Sequence, residues 1–142
     1  MNKRFSSIGL YITIGFVLAG ITAIGVTSKK DMVSGSVLSI GDDLQLNDFI
    51  AKNKNSVVKF YAPWCGFCKM MENPYQEMAQ KNSQVKFAKV DCTTEGGKKL
   101  AQDYKVAGFP TFAIFKDNKY ADTVVGANKA ELEKKVSDLT II

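Results

Sequence analysis

Val57-Val58-Lys59-Phe60-Tyr61-Ala62-Pro63-Trp64-Cys65-Gly66-Phe67-Cys68-Lys69 is the stretch of this 142-residue chain from which a fold can be read. Val57 to Ala62 is short, β-branched and aromatic, the composition of a strand. From Cys65 to about Gln80 the apolar members are Met70, Met71, Tyr75 and Met78, so a helix is predicted there, kinked by Pro74. Cys65 therefore leaves a strand and opens a helix. At that point it meets the positive end of the helix dipole and N–H groups without an intrahelical partner. Both favour a thiolate, the form that attacks disulfides. Two intervening residues in the first turn bring the second sulfur within reach of the first. Cys65 would then be the nucleophile and Cys68 the resolving thiol, with Lys69 adding positive charge.

Other uses of the two cysteines are weaker. A zinc site needs four ligands, usually Cys or His; only Cys92 remains and the chain has no histidine. The same absence excludes His-dependent triads and a His proton shuttle. A structural disulfide across two residues closes a tiny loop and contributes little stability. Thiolates do select Cu(I), so a Cu(I)-binding or docking module is the alternative function. Against it, Met70 and Met71 suit a helix core better than a copper site. Cys92 should end a buried strand and be inert, as free cysteines commonly are.

Working outward, Ser36 to Ile40 reads as a first strand. Asp43 to Lys54 carries Leu44, Leu46, Phe49 and Ile50 near helical spacing. Val85 to Val90 is a strand, and Glu95 to Tyr104 a helix containing Lys98 and Lys99. Thr111 to Phe115 and Tyr120 to Val125 form a hairpin through Lys116-Asp117-Asn118-Lys119. Asn128 caps a last helix in which Leu132, Val136 and Leu139 are spaced by four and three. The order β-α-β-α-β-α-β-β-α predicts an α/β fold: a mixed central sheet, parallel at first, flanked by helices, with a late antiparallel hairpin.

The N-terminus differs. After Lys3 and Arg4, Ile8 to Val26 is a charge-free run of 19 residues closed by Lys29 and Lys30. A spanning helix needs roughly 20 apolar residues, and a cleaved export signal has an apolar core of about 7–15. The run is nearer the first, although Ala23-Ile24-Gly25 could serve as a cleavage site. Residues 1–27 are therefore expected to be a membrane anchor or signal segment, 28–35 a linker, and 36–142 the domain, on the extracytoplasmic side in a periplasm-like compartment. The formal charge of +5 comes almost wholly from lysines that alternate with acids. That is a solvated surface, with no support for nucleic-acid binding.

Three collinear segments extend the reading. Val58 to Lys69 resembles the catalytic domains of protein disulfide isomerases, in the thioredoxin superfamily. Tyr104-Lys105-Val106-Ala107-Gly108-Phe109-Pro110-Thr111 resembles that family's segment with a cis-proline beside the dithiol. Val125-Gly126-Ala127 resembles its glycine turn before the last helix. The resemblance covers roughly residues 36–140 and implies a thioredoxin-like fold and a thiol–disulfide oxidoreductase. It implies that Cys65 attacks and Cys68 resolves, that Trp64 shields the sulfurs if it does not merely pack, and that Pro110 is cis with Phe109 presenting backbone groups to a substrate strand. No cofactor beyond the Cys65–Cys68 disulfide is implied. Protein thiols or disulfides would be the substrates, and an unidentified redox partner would recharge the dithiol.

Two departures leave the redox direction open. Phe67 stands where disulfide isomerases have a thiolate-stabilising histidine, which leans towards a reductant. Lys59 stands where the family usually has a buried Asp or Glu that moves protons to and from the resolving cysteine. No acid is matched to that place, and Lys89 falls on the neighbouring strand. Neutral Lys59 could accept a proton from Cys68; charged, it would favour thiolate and shift the redox balance. The plainest expectation is that its amine snorkels to water and does neither.

Overall fold

The computed structural model describes residues 35–141. Its elements are β1 (Val37–Ile40), α1 (Asp43–Lys52), β2 (Ser56–Tyr61), α2 (Gly66–Met70), α3 (Glu72–Lys81), β3 (Lys86–Asp91), α4 (Glu95–Asp103), β4 (Thr111–Lys116), β5 (Lys119–Val125) and α5 (Lys129–Thr140). The five strands form one sheet in the order β1-β3-β2-β4-β5. β1, β3 and β2 run parallel, while β4 pairs antiparallel with β2 and with β5. The predicted mixed sheet and the late hairpin are thus both present.

Period-two alternation assigns the strands' side chains to two faces. On one face Val57, Phe87, Phe112, Ile114 and Val124 pack under Met71, Tyr75 and Met78 of the α2–α3 segment and Leu132, Val136 and Leu139 of α5. On the other, Val58, Phe60, Ala88, Val90, Ala113 and Phe115 pack against Leu46 and Phe49 of α1 and Leu100 of α4. Both faces of β2 and β3 are covered, as parallel strands require.

Three local expectations change. The helix predicted from Cys65 to Gln80 is two helices, parted at Met71. Pro74 has no N–H to give the Met70 carbonyl, so the break falls a turn before the proline and not at it. Met70 consequently faces solvent, 67% exposed, while Met71 takes the buried place. Leu44 is exposed on α1, whose buried stripe is Leu46 and Phe49. The anchor or signal expected over residues 8–26 lies outside the described residues; among those described, no helix is long and apolar enough to cross a membrane.

Candidate active site

Cys65 is the N-cap of α2, with extended backbone (φ −80°, ψ 117°). Its Sγ accepts a hydrogen bond from the Cys68 backbone N–H at 3.3 Å. The sequence thus places a sulfur where a Ser or Asp oxygen usually caps a helix. The Cys65 thiol also faces the Phe109 carbonyl, at 3.6 Å. Phe109–Pro110 is cis, as the resemblance implied. The Gly126 N–H donates to the Pro110 carbonyl at 2.8 Å, and Gly126 has φ +83°. The cis-proline loop and the glycine turn therefore brace one another beside the dithiol.

The two thiols sit in different surroundings. Cys65, Cys68 and Ala62 form a small buried cluster with Tyr61 and Phe109 at its edge. Burial pushes the Cys68 thiol up to about 11, helped by the hydrogen bond to Cys65 and opposed by the Lys59 charge. Trp64 is 72% exposed, and its ring stands edge-on to Phe109 with centroids 6.2 Å apart. Ordinary core packing does not account for it. Phe67 is exposed on the same rim. Cys92 is buried among the α1–α4 face residues, and burial pushes its thiol up to about 11 as well. Its burial is as expected.

Lys59 corrects the sequence-based expectation. Its side chain is fully buried, so its amine does not snorkel to water. Nζ instead donates to Glu72 Oε2 at 2.8 Å and to the Cys68 carbonyl at 3.1 Å. The Tyr61 and Tyr75 rings flank it, at 5.6 and 5.7 Å. Lys89, in register with Lys59 across β2 and β3, donates to the other Glu72 oxygen at 3.2 Å. An acid does reach this place, from the start of α3 and not from β2. The hydrogen bond from Lys59 holds the Glu72 carboxyl below the usual carboxylate range. Sequence reasoning missed Glu72, although its spacing of four after Cys68 was a usable sign. Glu72, Lys89, Lys69, Tyr61, Pro63 and Cys68 line an open pocket of about 380 Å³.

A capping cysteine, a second thiol one turn on and the Phe109 carbonyl before cis-Pro110 stand together past the C-terminal end of the central strand β2, an arrangement that can support dithiol–disulfide exchange. Comparison with known proteins agrees. Residues 38–138 match the sequence profile of the family described as Thioredoxin. The chain is 38% identical to thioredoxin H2 of Arabidopsis thaliana over 83% of this chain and 87% of that protein. It is 34% identical to a protein disulfide-isomerase of Drosophila melanogaster over 82% of this chain but 24% of that longer protein. Oxidised mitochondrial thioredoxin 3 of Saccharomyces cerevisiae superposes with a TM-score of 0.69 at 32% identity, covering 72% of this chain and 95% of that one. Thioredoxin from Trypanosoma brucei brucei gives 0.71 at 31%, covering 78% and 96%. The chain belongs to the thioredoxin family. It is a thiol–disulfide oxidoreductase of the thioredoxin and protein disulfide-isomerase type, acting on protein thiols or disulfides.

Proposed function

We propose that the chain exchanges disulfides of protein substrates outside the cytoplasm, through the Cys65–Cys68 couple. The observation that carries this is the position of Cys65 Sγ, between the first N–H groups of α2 and the carbonyl before cis-Pro110. In the reducing direction the Cys65 thiolate attacks a substrate disulfide, forming a mixed disulfide and releasing one substrate thiolate. The Cys68 thiolate then attacks Cys65 Sγ, forming Cys65–Cys68 and releasing the second substrate thiol. The substrate gains two electrons and the protein loses two. A redox partner must return them, and oxidation of substrate is the same path reversed. Exposed Trp64 and the Phe109–Pro110 loop supply an apolar face and backbone groups for an extended substrate segment.

The experiment is reduction of a disulfide-linked protein such as insulin by the reduced chain. Cys65→Ser should abolish turnover. Cys68→Ser should still attack and accumulate the mixed disulfide, visible on a non-reducing gel. Full activity in Cys65→Ser would overturn the assignment. Loss of exchange with retained tight Cu(I) binding would favour the copper-module reading. A reduction potential of about −270 mV would make the chain a reductant, and one of about −120 mV an oxidant. The apolar run over residues 8–26 supports anchoring or export. Fractionation of cells making the full chain, with protease protection of the domain, tests that separately.

A further inference from the structure

Lys59 and Lys89 share the Glu72 carboxylate, one on each oxygen. The Lys59 ammonium is completely enclosed and also holds the Cys68 carbonyl. An enclosed ammonium without partners is costly; Glu72, the Cys68 carbonyl and the Tyr61 and Tyr75 rings supply them, and Glu72 is the one that also carries a compensating charge. We propose that Glu72 is a positioning residue for the resolving step, its carboxylate both holding Lys59 on the Cys68 backbone and limiting how much positive charge the Cys68 sulfur feels. This rests on thiol exchange at Cys65–Cys68.

Charge counting gives the direction. Two ammonium groups and one carboxylate leave one net positive charge beside Cys68. Removing the carboxylate leaves two, and removing the Lys59 ammonium leaves none. Positive charge favours thiolate. It thereby stabilises the reduced form and makes the couple more oxidising. The other charged or titratable groups facing Cys68 are Cys65 at the start of α2, Lys69 beside it and Tyr61 at the end of β2. Cys92, beyond β3, is near enough to feel the Cys68 charge. None of these differs between the variants below.

The test uses the full chain and measures two things: the Cys65–Cys68 reduction potential, and the pH dependence of Cys68 alkylation in the reduced protein. Glu72→Gln should raise the potential and lower the alkylation midpoint by about one unit. That is about tenfold in the exchange equilibrium, or about 30 mV for two electrons. Lys59→Met should move both the opposite way. Glu72→Asp should restore most of the wild-type values. Glu77→Gln, on the same helix but away from this pocket, should leave them unchanged. A merely structural ion pair would cost stability in both variants without opposed shifts. If Glu72→Gln does not fold, Lys59→Met still decides the matter, because it removes the buried charge instead of stranding it; an unchanged or raised potential overturns the proposal. Shifts of the same sign in both variants overturn it too. A wild-type chain with no exchange activity removes the function itself and this inference with it. Normal exchange with unshifted variants removes only the inference.

Discussion

Cys65 and Cys68 are the same residue type three positions apart, made unequal by where one helix begins. Cys65 precedes the first turn and receives its N–H; Cys68 lies within the turn, buried against Ala62. Burial holds the Cys68 thiol up at about 11. In the reduced protein, alkylation at pH 7 should therefore spare Cys68 and Cys92 and modify them only as pH rises towards 11, as peptide mass mapping would show. Cys92→Ala should keep exchange activity, because its sulfur faces the Val90 carbonyl and packs with the α1–α4 face without lining the dithiol pocket. The pairing of Glu72 has its own pH consequence. Its folded value is lowered, so the stability it contributes is present above the ordinary carboxylate value of 4.5 and is lost as pH falls below it. Glu72→Gln should flatten the acid limb of a stability-against-pH curve measured by urea unfolding.

At the scale of elements, α4 is placed by two glycines. A Cβ on Gly97 would lie 1.8 Å from the Asp91 carbonyl oxygen, and one on Gly96 would lie 2.0 Å from that of Gly41. The first turn of α4 thus sits directly on the ends of β3 and β1. Gly97→Ala should lower stability by about 1–3 kcal/mol, despite a helix-propensity gain of about 1 kcal/mol. Gly66→Ala, where a Cβ meets nothing within 4 Å, should not. Equal midpoints for the two variants in urea would contradict this account. The β4–β5 hairpin turns through Asp117 and Asn118, at φ 53° and 63°. Both lie in the left-handed region that two-residue hairpin loops require. The Asn118 side chain also donates to the Ile50 and Ala51 carbonyls near the end of α1. Asn118→Ala should cost about 2 kcal/mol, combining the left-handed penalty with lost hydrogen bonds.

Across the described domain, one sheet separates two cores, and the dithiol lies where the α2–α3 segment leaves the C-terminal end of the central strand β2. The faces are clamped at their rims by ion pairs: Lys99 with Asp43 and Asp103 joins α4 to α1, and Lys135 with Asp122 joins α5 to β5. These pairs are exposed and contribute little each. The buried acids Cys68, Cys92 and Tyr75 matter more at high pH. Burial raises all three, so the folded state holds their protons after the unfolded chain has released them. Stability should fall as pH rises above about 9, the ordinary thiol value. Thermal melts from pH 7 to 10.5 should show a falling midpoint, and Cys92→Ala should reduce the slope.

Patterning along the chain was enough for the element order, the two apolar faces and the setting of Cys65 after a strand and before a helix. These are local properties, set by alternation, capping and turn residues whose causes lie within a few positions. The motif resemblance added the cis bond before Pro110. The exposure of Met70, the helix break at Met71 and the fate of Lys59 were not legible. Each depends on how separate elements meet. Lys59, Lys89 and Glu72 come from two strands and a helix start, and only the register of β2 with β3 and the placement of α3 bring their charges together. A sequence pattern gives a lysine's face on a strand, but not whether a carboxylate is there to receive it. The N-cap place of Cys65 and the position of Cys68 one turn on were therefore determined by local sequence, while the charge around Cys68 was decided by tertiary packing, because the partners of an enclosed ammonium come from separate elements that only the fold brings together.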